Sequence, residues 1–208
     1  MRNRFHTPHG VLVLVPIDPA TSPGVRDDER DLTAGYAERR LRTFVTGRVA
    51  LRLALGSDLA IGRTDRGAPI VPPGWRGSIS HTDRWAGGLA LRTDDDVTVG
   101  LDLESVCESL GDVVSHVLVP SEIAQLVGLD EQARTEAVLE RLSLKEAFYK
   151  AVDPRLRRFV GFHQVAVQHE ADLVRFVTGV FHEHAPAVEG RVWRFGELVI
   201  STVLARWS

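Results

Sequence analysis

The chain has 208 residues, enough for one substantial core or for two small halves that share one. A hydrophobic fraction of 44% and a charged fraction of 25% belong to a soluble globular class, and a formal net charge of -3 offers no attraction to nucleic acid. The single cysteine, Cys107, excludes an internal disulfide framework and fits a reducing cytoplasm, and no apolar run approaches the roughly 20 residues of a membrane helix.

The start, M-R-N-R-F-H-T-P-H-G, is basic, but the V-L-V-L-V-P-I-D that follows is broken by Pro16 and Asp18 and lacks a small-residue cleavage site. It reads as a buried first strand over 11–17 and not as a signal peptide. P-A-T-S-P-G is a loop. From about Asp27 to Leu55 the pattern is helical, with Leu41, Phe44, Val45, Val49 and Leu53 at spacings of three or four. Gly35 and Gly47 are points of interruption, and Gly56 is a helix stop. D-R-G-A-P-I-V-P-P-G-W-R-G is rich in loop residues. S-I-S-H, W-A-G-G-L-A-L and V-T-V-G-L-D-L-E then read as three short strands. The second half begins near Cys107, with helical segments at about 111–118, 121–127 and 131–152. V-A-V-Q-H, L-V-R-F-V-T-G-V, R-V-W-R-F-G and L-V-I-S-T-V-L-A follow as strands. Helix-then-strands thus occurs twice. This predicts an α+β fold of two pseudo-symmetric halves, 1–106 and 107–208, each a helix packed on a small, mainly antiparallel sheet.

Three constellations can carry chemistry. In G-L-D-L-E, residues 100–104, strand alternation puts Asp102 and Glu104 on one face and Leu101 and Leu103 on the other. Two carboxylates about 7 Å apart repel when both are ionised and poorly solvated, and a divalent cation removes the conflict. Hard oxygen donors select Mg²⁺ or Mn²⁺ over zinc. The plain alternative is a solvent-facing strand edge kept soluble by its acids. R-L-S-L-K-E-A-F-Y-K, residues 141–150, holds the only two lysines, Lys145 and Lys150, in a chain whose other cationic side chains are arginine. On a helix, Glu146 and Lys150 stand four apart, anchored by a stripe of Ala147, Phe148, Ala151 and Val152. A surface ion pair accounts for one lysine. A compact ammonium that can approach a phosphate accounts for the choice of lysine over arginine. In G-W-R-G-S-I-S-H, residues 74–81, Ser78, Ser80 and His81 offer groups suited to phosphate oxygens, although a lone histidine is also an ordinary structural residue. Arg40, Arg48 and Arg52 recur along one face of the first helix, and Arg66 lies in the D-R-G-A-P loop. Such forks bind a dianionic phosphate bidentately or simply form a solvated helix face.

In order and spacing these segments resemble the 4′-phosphopantetheinyl transferases of the Sfp/EntD type. That family shows S-x-S-H, then G-[IL]-D-x-E about twenty residues on, then K-E-x-x-x-K about forty residues further. Here they are Ser78–His81, Gly100–Glu104 and Lys145–Lys150. R-R-L-R-T-F-V-T-G-R-V-A-L-R-L-A-L is similar to the family's arginine helix, and D-R-G-A-P-I-V-P to its G-K-P loop with Arg66 in place of lysine. R-F-V-G-F-H-Q-V-A-V resembles the strand after the catalytic helix, so the likeness covers about residues 36–168. One departure is Leu142, where the family carries Phe or Trp.

The resemblance implies transfer of 4′-phosphopantetheine from coenzyme A to a serine of an apo acyl, peptidyl or aryl carrier protein, with release of 3′,5′-ADP. By the same likeness, Asp102, Glu104 and Glu146 hold Mg²⁺, with Mn²⁺ as the alternative. Lys145 and Lys150 reach phosphate oxygens or the leaving group. Ser80 and His81 bind coenzyme A, and Arg40, Arg48 and Arg66 hold its 3′-phosphate. Glu146 is the expected base for the carrier serine, directly or through water. Coenzyme A lies in the cleft between the halves, with the metal at their junction. Arg155, Arg157 and Arg158 would meet an acidic carrier helix. A cytoplasmic monomer is expected, with no nucleic-acid or membrane partner, serving siderophore, polyketide, nonribosomal peptide or fatty-acid synthesis. A metal-dependent nuclease or phosphohydrolase also uses D-x-E with a Glu-Lys pair, but the net charge supplies no basic tract for a nucleic-acid backbone. A non-catalytic carrier-binding module has no need of three metal acids.

Overall fold

V-L-V-L-V is apolar at every position because its strand is covered on both faces. Leu12 and Leu14 enter one core, and Val13 and Val15 enter another. The computed structural model describes residues 2–20, 25–106, 112–170, 173–181 and 185–207; Cys107 lies outside the described residues. In chain order the elements are β1 (Asn3–Thr7), β2 (Gly10–Pro16), a 3-10 turn (Asp27–Thr33), α1 (Glu38–Leu55), β3 (Gly62–Arg63), β4 (Pro69–Ile70), β5 (Trp75–His81), β6 (Trp85–Arg92) and β7 (Val97–Ser105). Then come α2 (Val113–Val117), α3 (Pro120–Ala124), α4 (Glu131–Leu156), a 3-10 turn (Phe162–Gln164), β8 (Val165–Glu170), β9 (Leu173–Thr178), β10 (Ala187–Phe195) and β11 (Leu198–Arg206).

Two antiparallel sheets form, in the orders β1-β2-β6-β5 and β7-β11-β10-β9-β8, with a small β3–β4 hairpin beside them. Leu12, Leu14 and Leu89 of the first sheet meet Leu101, Leu103, Leu198, Ile200 and Leu204 of the second in a shared core. α1 covers the other face of the first sheet through Ala50, Leu51, Ala54 and Leu55. α4 covers the other face of the second through Ala147, Phe148, Ala151 and Val152. This is the expected α+β class. Each long helix rests on a glycine. A Cβ at Gly88 would stand 2.3 Å from the Leu51 amide of α1, and one at Gly100 would stand 1.9 Å from the Ala147 carbonyl of α4. Only glycine lets the helices approach this closely, so Gly100 in G-L-D-L-E sets the distance between that strand and the K-E helix.

The structure departs from the sequence pattern in four places. β1 was not expected, because N-R-F-H-T carries one large apolar residue, Phe5, and forms an edge strand paired, among the described residues, with β2 alone. The helical signal from Asp27 is broken in two, with Gly35 at φ 76 between the 3-10 turn and α1. The break folds Glu29 back onto α1, where its carboxylate accepts from Arg52 at 2.5 Å and from the Ile61 amide at 2.9 Å. α4 runs past the expected end at 152, through Pro154, and stops at Arg157 with left-handed φ 48. Finally, β7, which closes the first half in the sequence division at 106/107, is hydrogen-bonded to β11 along its full length. The carboxylate strand therefore belongs to the sheet that carries α4.

Candidate active site

β7 is an edge strand, and its free edge is sealed by hydroxyls. Ser78 Oγ accepts the Leu101 amide at 3.0 Å, and Ser80 Oγ accepts the Leu103 amide at 3.3 Å. The alternate residues of S-I-S thereby sew β5 of the first sheet to β7 of the second. The Ser80 hydroxyl donates to Asp102 Oδ1 at 2.9 Å. The Lys150 ammonium donates to the same oxygen at 2.7 Å and to Ser80 Oγ at 3.0 Å. Asp102 is only 4% exposed, which removes the solvent-facing edge alternative. Lys150 likewise does not form a surface pair; the ion pair it makes is across to β7.

A cleft of about 1030 Å³ runs along this seam between α1 and α4. Glu146, Lys150 and His81 line it, as do Arg40, Arg48 and Arg66. The Arg48 guanidinium lies 3.4 Å from the Phe44 ring centroid, and its Nε donates to the Ile61 carbonyl at 2.9 Å. Burial pulls it down to about 10, against the pull of Glu29. Arg40 stacks on Tyr36 at 4.6 Å. Arg66 forks onto both oxygens of Asp153. Packing against the cleft wall and the Lys150 ammonium hold His81 below its usual range.

Three expected residues are placed differently. Lys145, adjacent to Glu146, is fully buried and points away from the cleft. Its ammonium donates to Glu122 Oε2 at 2.7 Å and to the carbonyls of Val117 at 2.8 Å and Phe162 at 3.2 Å. Glu122 in turn accepts the amides of Val119 and Val167, each at 2.8 Å. Successive helix residues diverge by about 100°, so Lys145 clamps α3, β8 and the Phe162 turn onto α4 and does not reach a substrate phosphate. Ser80 is 6% exposed and serves Asp102 and Lys150 instead of the cleft. Arg52 leaves the arginine row for Glu29. Arg155, Arg157 and Arg158 are engaged by Asp96, Asp65 and the Val180 carbonyl. Tyr36, Arg39 and Arg63 line the cleft without having been expected. Arg39, beside Arg40 in the sequence, was the one with a signal.

The three acids pass a test of fit for a hard dication. Asp102 Oδ2 is buried without a hydrogen-bond partner. Burial pushes Glu104 up to about 7, with repulsion from Asp102 and Glu146 adding and Lys150 opposing. Burial also pushes Glu146 up, Lys150 opposing and Asp102 adding. Among the described residues no three such side chains already enclose a metal position. Mg²⁺ is held by few carboxylates and completes its shell with water and substrate phosphates, so the orphaned Asp102 oxygen is the feature that fits it.

Known proteins are similar to this chain. The family model described as the 4′-phosphopantetheinyl transferase superfamily matches residues 98–203, and that of the 4′-phosphopantetheinyl transferase N-terminal domain matches 28–90. The chain is 32% identical over 148 residues to the 4′-phosphopantetheinyl transferase Npt of Nocardia iowensis, covering 69% of this chain and 66% of that protein. It is 31% identical over 193 residues to Svp of Streptomyces mobaraensis, another 4′-phosphopantetheinyl transferase, covering 86% and 77%. A holo-(acyl-carrier-protein) synthase of Bacillus anthracis, solved with CoA (3′,5′-ADP), superposes on 53% of this chain and 96% of its own with a TM-score of 0.44 and 23% identity. The superfamily model begins in β7, the strand that opens the sheet carrying α4. The chain belongs to the 4′-phosphopantetheinyl transferase superfamily.

Proposed function

We propose that the protein transfers the 4′-phosphopantetheinyl group of coenzyme A to a serine of an apo carrier protein, releasing 3′,5′-ADP. The observation that carries this reading is Lys150, which lines one wall of a cleft whose other wall presents arginine forks and which pairs with the buried Asp102 behind that wall. Arg40, Arg48 and Arg66 take the 3′-phosphate, and His81 takes a phosphate oxygen nearer the reacting centre. Asp102, Glu104 and Glu146 hold Mg²⁺, which when bound neutralises charge on the pyrophosphate. Lys150 stabilises the charge that builds on nonbridging oxygens and on the leaving phosphate as the carrier serine oxygen bonds to phosphorus and the anhydride bond breaks. Glu146 receives the serine proton, directly or through water. Ser80 orients Asp102 and Lys150.

The carrier is an acyl or peptidyl carrier protein, and the enzyme acts as a cytoplasmic monomer. Among the described residues no helix is long and apolar enough to cross a membrane. The test is intact-mass measurement of apo carrier proteins incubated with the protein, coenzyme A and Mg²⁺. A gain of one phosphopantetheinyl group supports the reading; unchanged mass across acyl and peptidyl carriers overturns it.

A further inference from the structure

The β3–β4 hairpin is tied across the cleft to the end of α4 at two points. Its tip turns at Gly67, φ 93, where the Gly67 amide donates to the Thr64 carbonyl at 3.1 Å. Beside that turn Arg66 grips Asp153, its Nε 3.0 Å from Oδ1 and 2.9 Å from Oδ2, with Nη2 also on Oδ1. The preceding residue returns the contact with opposite polarity, since Asp65 accepts from Arg157 at 2.6 Å. Arg157 presents its side chain from the left-handed residue that ends α4. Both members of the Arg66–Asp153 pair line the cleft.

A carboxylate and a phosphate monoester offer a guanidinium the same two-oxygen edge. Among the described cleft-lining arginines, Arg39 also meets a carboxylate, but it reaches only one oxygen of Asp83. Arg66 is the one whose fork spans both carboxylate oxygens. The pair is partly exposed, 34% and 25% by side chain. A pair so placed is worth at most about 1 kcal/mol, little enough for a ligand to displace.

We propose that Asp153 is a built-in competitor for the Arg66 fork, so that a nucleotide bearing a 3′-phosphate must displace it and a nucleotide lacking that phosphate leaves the pair closed. The inference rests on the reading of the cleft as the coenzyme A site and adds a determinant of affinity for the 3′-phosphate. A dianion displaces a monoanionic carboxylate from the fork. A nucleotide without the 3′-phosphate gains nothing from opening it. Removing the carboxylate therefore tightens binding of the first kind of ligand only.

The experiment compares wild type with Asp153→Asn by calorimetric titration with adenosine 3′,5′-bisphosphate and with 5′-AMP, at one fixed ionic strength because salt screens the pair. Carrier modification is measured on the same samples. Asp153→Asn is expected to bind the bisphosphate about two- to five-fold tighter, the range of an exposed ion pair, with 5′-AMP unchanged. Arg66→Gln should abolish the effect of Asp153→Asn on bisphosphate binding, while Arg40 and Arg48 still favour the bisphosphate over 5′-AMP. Equal shifts for both nucleotides, or no shift, overturn the competitor role while carrier modification by the wild type leaves the transferase reading standing. Absence of binding by either nucleotide together with absence of carrier modification overturns both.

Discussion

Replacing Lys145 by methionine separates a buried clamp from a phosphate ligand. The side chain is 0% exposed and its partner Glu122 is 1% exposed. Methionine fills similar volume but leaves the Glu122 carboxylate buried without its cation, and the Val117 and Phe162 carbonyls without a donor. Breaking a buried pair from one side costs about 3–5 kcal/mol. For a chain of this length, each kcal/mol lowers Tm by about 2–4 °C, so the expected loss is about 6–20 °C. Thermal unfolding followed by circular dichroism reads this directly. The double variant Lys145→Met/Glu122→Gln removes the orphaned charge and keeps an acceptor for an amide, so it should recover part of the loss. Burial also pulls the Lys145 ammonium below its usual range despite Glu122, so the pair has no energetic slack. A single variant within about 1 kcal/mol of wild type, yet inactive with coenzyme A, would refute the clamp and return Lys145 to the substrate.

Two other perturbations address the site itself. Lys150→Arg keeps the charge, but a planar fork does not fit the point between Asp102 Oδ1 and Ser80 Oγ that the ammonium occupies. The turnover number should fall at least about ten-fold while Tm stays within a few degrees; full activity would deny the need for a compact cation. Glu104 has a folded-state value raised to about 7, so the native state holds a proton that the unfolded chain releases. Its share of stability is therefore present below the unfolded value near 4.5 and is lost as pH rises through about 7. Without added metal, Glu104→Gln should gain about 1–2 kcal/mol on wild type between pH 5 and 8 in denaturant titrations, after solvent screening is allowed for, and a pH-independent difference would contradict this.

Much of the site was legible because its chemistry is tied to local spacing. Strand alternation set Asp102 apart from Leu101, and helix spacing put Glu146 and Lys150 on neighbouring faces. What stayed hidden depends on contacts distant in sequence. Lys145 and Lys150 look equivalent in R-L-S-L-K-E-A-F-Y-K, but the partner that buries Lys145 lies 23 residues upstream, in P-S-E-I-A, which looks like an ordinary helix start. Ser80 reads as a phosphate donor until β7 is known to lie beside β5 with its amides unpaired. Arg66 was recognised by its loop, but Asp153 lies 87 residues away and carries no signal at all. The division at 106/107 followed the strand-helix order, whereas sheet membership is fixed by the register of β7 against β11. Gly100 had no stated role in the motif until α4 was seen resting on it.

The central claim is that the Lys150–Glu146 wall of the cleft, with Asp102 buried behind it, performs phosphopantetheinyl transfer. It is tested most directly by intact-mass kinetics of apo carrier modification with coenzyme A and Mg²⁺, comparing wild type with Asp102→Asn. Asn keeps an acceptor for Lys150 and Ser80 but removes the charge that would face the proposed metal. The account predicts one phosphopantetheinyl group added by the wild type and a rate at least about a hundred-fold lower for a folded Asp102→Asn. Undiminished modification by that variant, or none by the wild type, would contradict it.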